Sequence, residues 1–174
     1  MVKLTTILQG IKQFPVSLDF IRDRLPPNCR AVEYKSLKGK HRSEVFKNTE
    51  ALVVLIPKEG QSVGHFITLI PGRKSIEYFS SLGNSPMKEL ALLHEPKTIF
   101  DSLLGKQFNY NHRQLQSGSY HVNDCASWVL LRVYFRKLKL REFQQLFATR
   151  ITLETPDDLA AMMSAALFQD RKGD

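Results

Sequence analysis

Residues 51–83 read ALVVLIPKEGQSVGHFITLIPGRKSIEYFSSLG. Three apolar runs stand in this stretch, at 51–56, 65–70 and 75–79, and turn-forming residues part them: Pro57 to Gly60, then Pro71-Gly72-Arg73, then Gly83. Apolar runs of this length closed by Pro and Gly predict strands, and the lack of alternation predicts strands covered on both faces. The turns between them are short, so the three should lie as a meander, with His65 at the head of its middle strand.

Outward from the meander the pattern turns helical. Residues 3–12 and 16–24 predict short helices, the second preceded by Pro15 and stopped by Pro26-Pro27. Residues 26–47 are polar, basic and aperiodic, and predict a surface loop or irregular strand. Helix-like spacing recurs at 86–93 and 95–104, with Pro86 and Pro96 tolerated in first turns. Residues 107–124 are rich in Asn, Gln, Ser, His and Gly and read as a strand or loop leading to an exposed edge. The next stretch, 125–137 (CASWVLLRVYFRK), is the most apolar helical candidate, with Asn123 or Asp124 placed to cap it and Arg132 and Arg136 four residues apart on one wet edge. A last helix is predicted at 156–168, with Thr155 as cap, Pro156 in the first position and Asp158 where a capping box places its acid. The fold class expected is α+β: one domain over 1–174, a central, mostly antiparallel sheet from 51–79 and 107–122, and the helix from Cys125 packed against it.

The chain has 174 residues, 43% of them apolar, enough for one sizeable core. No window of 18 apolar residues occurs, and Lys3, Gln9, Lys12 and Gln13 interrupt the first apolar run, so the expectation is a soluble protein without a secretory signal or membrane partner. Cys29 and Cys125 are the two cysteines; they stand 96 residues apart in no metal-ligand spacing, which excludes a disulfide framework and argues against structural zinc. The formal charge of +8 is clustered. Arg30, Lys35, Lys38, Lys40, Arg42 and Lys47 form one group, and Arg132, Arg136, Lys137, Lys139 and Arg141 a second. Both are candidate polyanion-binding surfaces through a salt-sensitive, sequence-blind attraction. A solvated basic surface is the plainer reading.

Cys125 at a predicted helix start would face backbone N–H groups that lack intrahelical partners, where a thiolate is favoured and an oxyanion can be held. A lowered thiol pKa is therefore expected, although a buried free cysteine is also a common core residue. His65 at a strand head could serve as general base if it reached Cys125 and were oriented by a third group. His121, four residues before the cysteine, is the rival base.

The order His65, then Ile-Glu-Tyr-Phe-Ser-Ser-Leu-Gly ending at Gly83, then Gln116, then Asn-Asp-Cys125 at a helix start resembles the adenovirus-type maturation proteases and their relatives, the SUMO-specific proteases. The resemblance covers residues 51 to about 135. It implies a papain-like, adenain-like cysteine endopeptidase with Cys125 as nucleophile, His65 as base and Gln116 completing the oxyanion hole. Phe66 stands where tryptophan is frequent, Ala126 where glycine follows the family cysteine, and Ser80 where the family has Asp or Glu. The third member is thus open among Ser80, Glu77 three residues earlier, and water or another group, an inactive site being the remaining reading; Glu77 should face away from Ser80 by strand alternation. Gln116 lies nine residues before the cysteine, longer than usual, and Gln114 is the fallback.

By the same resemblance the substrates would be viral capsid and core precursor proteins, cut after a small residue such as Gly during virion maturation. No cofactor is required, DNA or an activating peptide being candidate stimulators, and the place of action would be the virion and the host nucleus or cytoplasmic virus factory. The competing readings are a protease acting on SUMO, ubiquitin or a similar modifier, and a non-catalytic DNA-binding structural protein.

Overall fold

The computed structural model describes residues 16–58, 64–117, 124–148 and 155–169. The helix expected at 3–12, His121 and Asn123 lie outside them.

The chain runs α1 (Leu18–Arg22), β1 (Cys29–Glu33), a 3₁₀ turn (Tyr34–Leu37), α2 (Arg42–Val45), β2 (Ala51–Pro57), β3 (Gly64–Pro71) and β4 (Ile76–Phe79). Next come α3 (Pro86–Leu92), α4 (Thr98–Leu104), β5 (Phe108–Tyr110), α5 (Cys125–Tyr134), α6 (Leu140–Leu146) and α7 (Pro156–Gln169). The five strands form one mixed sheet in chain order. The central meander is antiparallel as expected, pairing Val54 with Ile67 and Leu69 with Tyr78, whereas β1 and β5 add parallel to β2 and β4 at the two edges. These parallel edges correct the mostly antiparallel expectation. The cause is the connections: the 3₁₀ turn with α2, and α3 with α4, are long enough to carry the chain back to its starting end. The stretch 107–122 contributes only 108–110 to the sheet among the described residues.

Both faces of the sheet are covered, which is why 51–56 lacks alternation. Leu52, Val54, Ile56, Ile67, Leu69, Ile76 and Tyr78 pack under α3 and α4 with Leu90, Phe100, Leu103 and Leu104. On the opposite face Ala51, Val53 and Phe66 meet Cys125, Ala126, Val129, Leu130 and Val133 of α5. A third cluster joins Phe79, Trp128, Leu131, Phe143 and Phe147, with edge-on aromatic contacts at 4.6–5.5 Å between centroids.

Several local features depart from the sequence reading, among them residues 26–47, expected on the surface, which form β1, the 3₁₀ turn and α2 and bury Tyr34, Leu37 and Val45 in the core. Helix α6 was not predicted; its amino end is held by Glu142, whose carboxylate accepts the Lys139 N–H at 2.8 Å, half a capping box without the Ser or Thr that marks one in a sequence. Helix α5 ends at Tyr134 rather than 137, and Asp124 takes the cap position without a side-chain cap bond. The supposed wet edge of α5 is dry at Arg132, which is 1% exposed. Its guanidinium grips both oxygens of Glu77 on β4 at 2.7 and 3.0 Å, donates to the carbonyls of Phe135 and Leu138, and lies over the Phe143 ring. By contrast the α7 cap is as expected: Asp158 accepts from the Thr155 N–H and hydroxyl, and its own N–H returns to Thr155 Oγ1.

Candidate active site

Gly64 opens β3 flush against the backbone of β2, where any Cβ would fall 2.2 Å from the Ile56 carbonyl oxygen. That close approach lets His65, the next residue, enter the sheet's end buried rather than splayed outward. Its cross-strand partner is Ile56, so its ring lies on the α3 face of the sheet.

His65 Nε2 stands 3.0 Å from Ser80 Oγ, just past the end of β4. Ser80 Oγ donates to Glu89 Oε2 at 2.8 Å and accepts the Leu82 N–H at 3.3 Å. A hydroxyl has one proton, and here it goes to Glu89, so the contact with His65 must run from Nε2–H to Ser80. The imidazole is thereby held as the Nε2–H tautomer, with Nδ1 unprotonated and able to accept a proton. Glu89 Oε1 is also 3.7 Å from Nε2, and the Glu89 side chain is 2% exposed. Burial lowers the His65 pKa below its ordinary value, with the Glu89 charge opposing.

Asn111 clamps Ser80 by its backbone, accepting the Ser80 N–H at 2.9 Å and donating to the Ser80 carbonyl at 2.6 Å. Gly83 completes the turn after Ser80 at a φ of +70°, with its Cα so close to the backbone of Arg113 and Gln114 that a Cβ would come within 2.6 Å. Gln116 is buried here. Its Oε1 accepts from Ser81 Oγ at 2.7 Å, which turns the amide nitrogen away from Ser81. Gln114 is exposed and donates to the Gln116 carbonyl, so it braces the Gln116 backbone. Asp157, in the first turn of α7, accepts the Ser117 N–H at 2.8 Å and the Trp128 indole N–H at 3.0 Å, and so ties this segment to α5.

Cys125 is the first residue of α5 and is buried. Phe66, the residue after His65, packs in the same cluster, and the backbone N–H groups of Phe66, Ala126 and Cys125 itself act on the thiol. The expected depression of its pKa is absent: burial pushes the thiol up to about 11, with Asp124 adding to the rise and the three N–H groups opposing it. A helix start favours the thiolate, but at this depth loss of water outweighs it. Cys29 is half-buried and also a free thiol, so no Cys29–Cys125 bridge exists.

The structure brings His65, Ser80 and Glu89 into one hydrogen-bonded chain and sets Gln116 beside Ser81. Glu77 faces away from Ser80 and is held by Arg132, as strand alternation foresaw. Glu89, Asn111 and Asp157 were missed by sequence reasoning. A signal for Glu89 existed: it lies three residues after Pro86 and beside Leu90, on the face of α3 that is buried.

The basic clusters are depleted on folding. Arg132 is buried against Glu77 and is withdrawn from any polyanion surface. Arg136 pairs with Glu50 at 2.6 Å, Lys137 with the same carboxylate at 3.4 Å, and Lys35 with Glu95 at 3.1 Å, while Arg30 donates to the Val45 carbonyl. Lys38, Lys40, Lys47, Lys139 and Arg141 are exposed, and Arg42 is partly covered. Among the described residues no helix is long and apolar enough to cross a membrane.

No protein-family model matches the chain, and no curated protein does. Among solved structures, the chain is similar to the crystal structure of the ASFV pS273R protease, at 19% identity and a TM-score of 0.35. The match covers 65% of this chain and 43% of that one, so the chain spans under half the length of the protein it matches.

Proposed function

We propose that the protein is a cysteine endopeptidase of the adenovirus-maturation type, with a papain-like site formed by Cys125, His65, Ser80 and Gln116. The observation that carries this reading lies at the head of β3, where Ser80 holds His65 in the tautomer a base needs and the next residue, Phe66, packs against Cys125 on the opposite face of the sheet. With the thiol pKa raised and the imidazole pKa lowered, the resting pair is neutral, and proton transfer accompanies attack instead of preceding it.

In the proposed reaction His65 Nδ1 takes the thiol proton as Cys125 Sγ bonds to the scissile carbonyl carbon. The oxyanion receives the backbone N–H of Cys125 and the Gln116 amide. His65 then protonates the leaving amine as the C–N bond breaks, which leaves a thioester. Water loses a proton to His65 as it attacks, and the released thiolate regains that proton from the imidazolium. Virion precursors cut after glycine or another small residue are the proposed substrates, and non-specific DNA, met by the exposed lysines, is the proposed partner. Action in the virion and infected cell follows from the same reading, with no cofactor required.

A peptide vinyl sulfone ending in Gly tests the assignment by mass-spectrometric mapping. The expected adduct forms on Cys125, spares Cys29, and disappears in His65→Ala and Cys125→Ala. Labelling that ignores His65 would refute the pair. Reaction restricted to a folded modifier with a Gly-Gly tail would move the protein to the competing protease class.

A further inference from the structure

We propose that Glu89, on a helix outside the recognised motifs, supplies the negative charge of the site and acts on His65 through the Ser80 hydroxyl as a positioning residue. The inference rests on the cysteine-peptidase reading above and says where its missing acid has gone. In the resembling proteases the carboxylate occupies the position filled here by Ser80, directly against the imidazole. In this chain the carboxylate arrives nine residues later, from α3, and the serine stands between.

Four features support the assignment. Glu89 is buried, so its carboxylate occupies an interior position that an unneeded charge would avoid. Its two oxygens divide the work: Oε2 accepts the Ser80 proton at 2.8 Å, and Oε1 lies 3.7 Å from His65 Nε2. The polarity of the chain is fixed in one direction, from Nε2–H to Ser80 Oγ and from Ser80 Oγ–H to Glu89, so the carboxylate sets the tautomer from two bonds away. Finally, the serine is not free to turn, because Asn111 holds its backbone on both sides and Leu82 N–H occupies its oxygen.

The charged and titratable neighbours agree with this. The charge that acts on His65 comes from Glu89 on α3. Tyr78 on β4 feels the same carboxylate and is kept a neutral phenol by burial, while Asp124 acts on Cys125 at the head of α5. When His65 becomes imidazolium during turnover, the carboxylate at 3.7 Å is therefore the group placed to balance it. A serine alone could orient the ring but could not supply that charge.

The discriminating experiment relocates the charge. Cys125 alkylation by iodoacetamide is followed from pH 5 to 10 in the wild type, His65→Ala, Glu89→Gln and the double variant Ser80→Asp/Glu89→Gln, with near-UV circular dichroism as the check on folding. Glu89→Gln should slow neutral-pH alkylation of Cys125 by on the order of tenfold or more and move the acid limb of the profile, because one pKa unit is a tenfold change in the balance of protonation states. The double variant, which returns a carboxylate to the position beside His65, should recover most of the rate. A merely structural role for Glu89 would not predict recovery on moving the charge.

A Glu89→Gln profile that superimposes on the wild type, while His65→Ala is slow, overturns the role of Glu89 and leaves the Cys–His pair standing. Alkylation indifferent to His65 overturns the pair itself. Should Glu89→Gln not fold, imidazole ¹⁵N spectra of the wild type decide. An Nε2–H tautomer supports the relay, and an Nδ1–H tautomer refutes it, since Ser80 would then be donating to His65 instead of to Glu89.

Discussion

Replacing Arg132 with methionine is expected to destabilise the protein by about 3 kcal/mol and to leave DNA affinity unchanged. The magnitude follows from what the guanidinium holds. It is 1% exposed and makes two bonds to Glu77, of 2.7 and 3.0 Å, together with bonds to two carbonyls. Breaking one partner of a buried ion pair costs roughly 3–5 kcal/mol, because the other charge is left without compensation. Glu77 keeps 17% of its side-chain surface, so water can reach it, and the expected loss belongs at the lower end of that range. Removing both charges, as Arg132→Met with Glu77→Leu, should recover a large part of the stability, since an apolar pair of similar volume is often no worse than a buried salt bridge. The Phe135 and Leu138 carbonyls would still lack their donor, which leaves a deficit of about 1 kcal/mol. Urea unfolding followed by tryptophan fluorescence measures all three proteins, and Trp128, the single tryptophan, reports from the adjoining cluster. A loss under about 1 kcal/mol for Arg132→Met would refute the reasoning, as would a lower DNA affinity in a variant that remains folded; the threshold is the ordinary worth of one hydrogen bond.

Three further outcomes concern charge. Cys125 has its pKa raised from 9.0 to about 11, so its contribution to stability is complete below pH 9 and is lost as pH rises through 11, on the order of a few kcal/mol. Cys125→Ala should flatten that alkaline decline, and an unchanged decline would contradict the burial of the thiol. His65 acts at the other end: its lowered pKa means that stability is full above about pH 6.5 and falls as the buried ring is forced to protonate, a fall that His65→Ala should remove. For DNA, Lys38→Gln, Lys40→Gln, Lys139→Gln and Arg141→Gln together should shallow the dependence of log affinity on log salt, by up to about 0.9 for each phosphate that is no longer neutralised. A slope equal to that of the wild type would show that these exposed residues do not meet the backbone.

The sheet's centre was legible because its residues solve one problem: 51–56, 65–70 and 76–79 are largely apolar, and turn residues close each run. Its edges were not, because β1 carries only Ala31 as a buried side chain and β5 is three residues long, too short for a period to register. The site divides in the same way. Cys125 and His65 stand at element starts that sequence punctuation marks, and Ser80 follows the last residue of β4. Glu89 comes from a separate helix whose only hint was an acid on an apolar face. Arg132 misled for the converse reason: its spacing from Arg136 predicts a shared stripe, yet its partner Glu77 is 55 residues away in sequence and could not be paired with it by local pattern. The depth at which Cys125 sits is likewise a property of packing that helix-start logic does not contain.

Asp157 has a meaning in time as well as in space. His65, Ser80, Glu89, Gln116 and Cys125 all precede it in the chain, so a ribosome finishes every residue of the proposed site before it makes the carboxylate that ties the Gln116 segment to α5. A nascent chain halted before residue 157 should therefore carry the full set of side chains and yet react poorly with the vinyl sulfone, gaining reactivity only once α7 has docked. Under the proposed peptidase reading, a lock made after the residues of the site would keep cutting and folding apart.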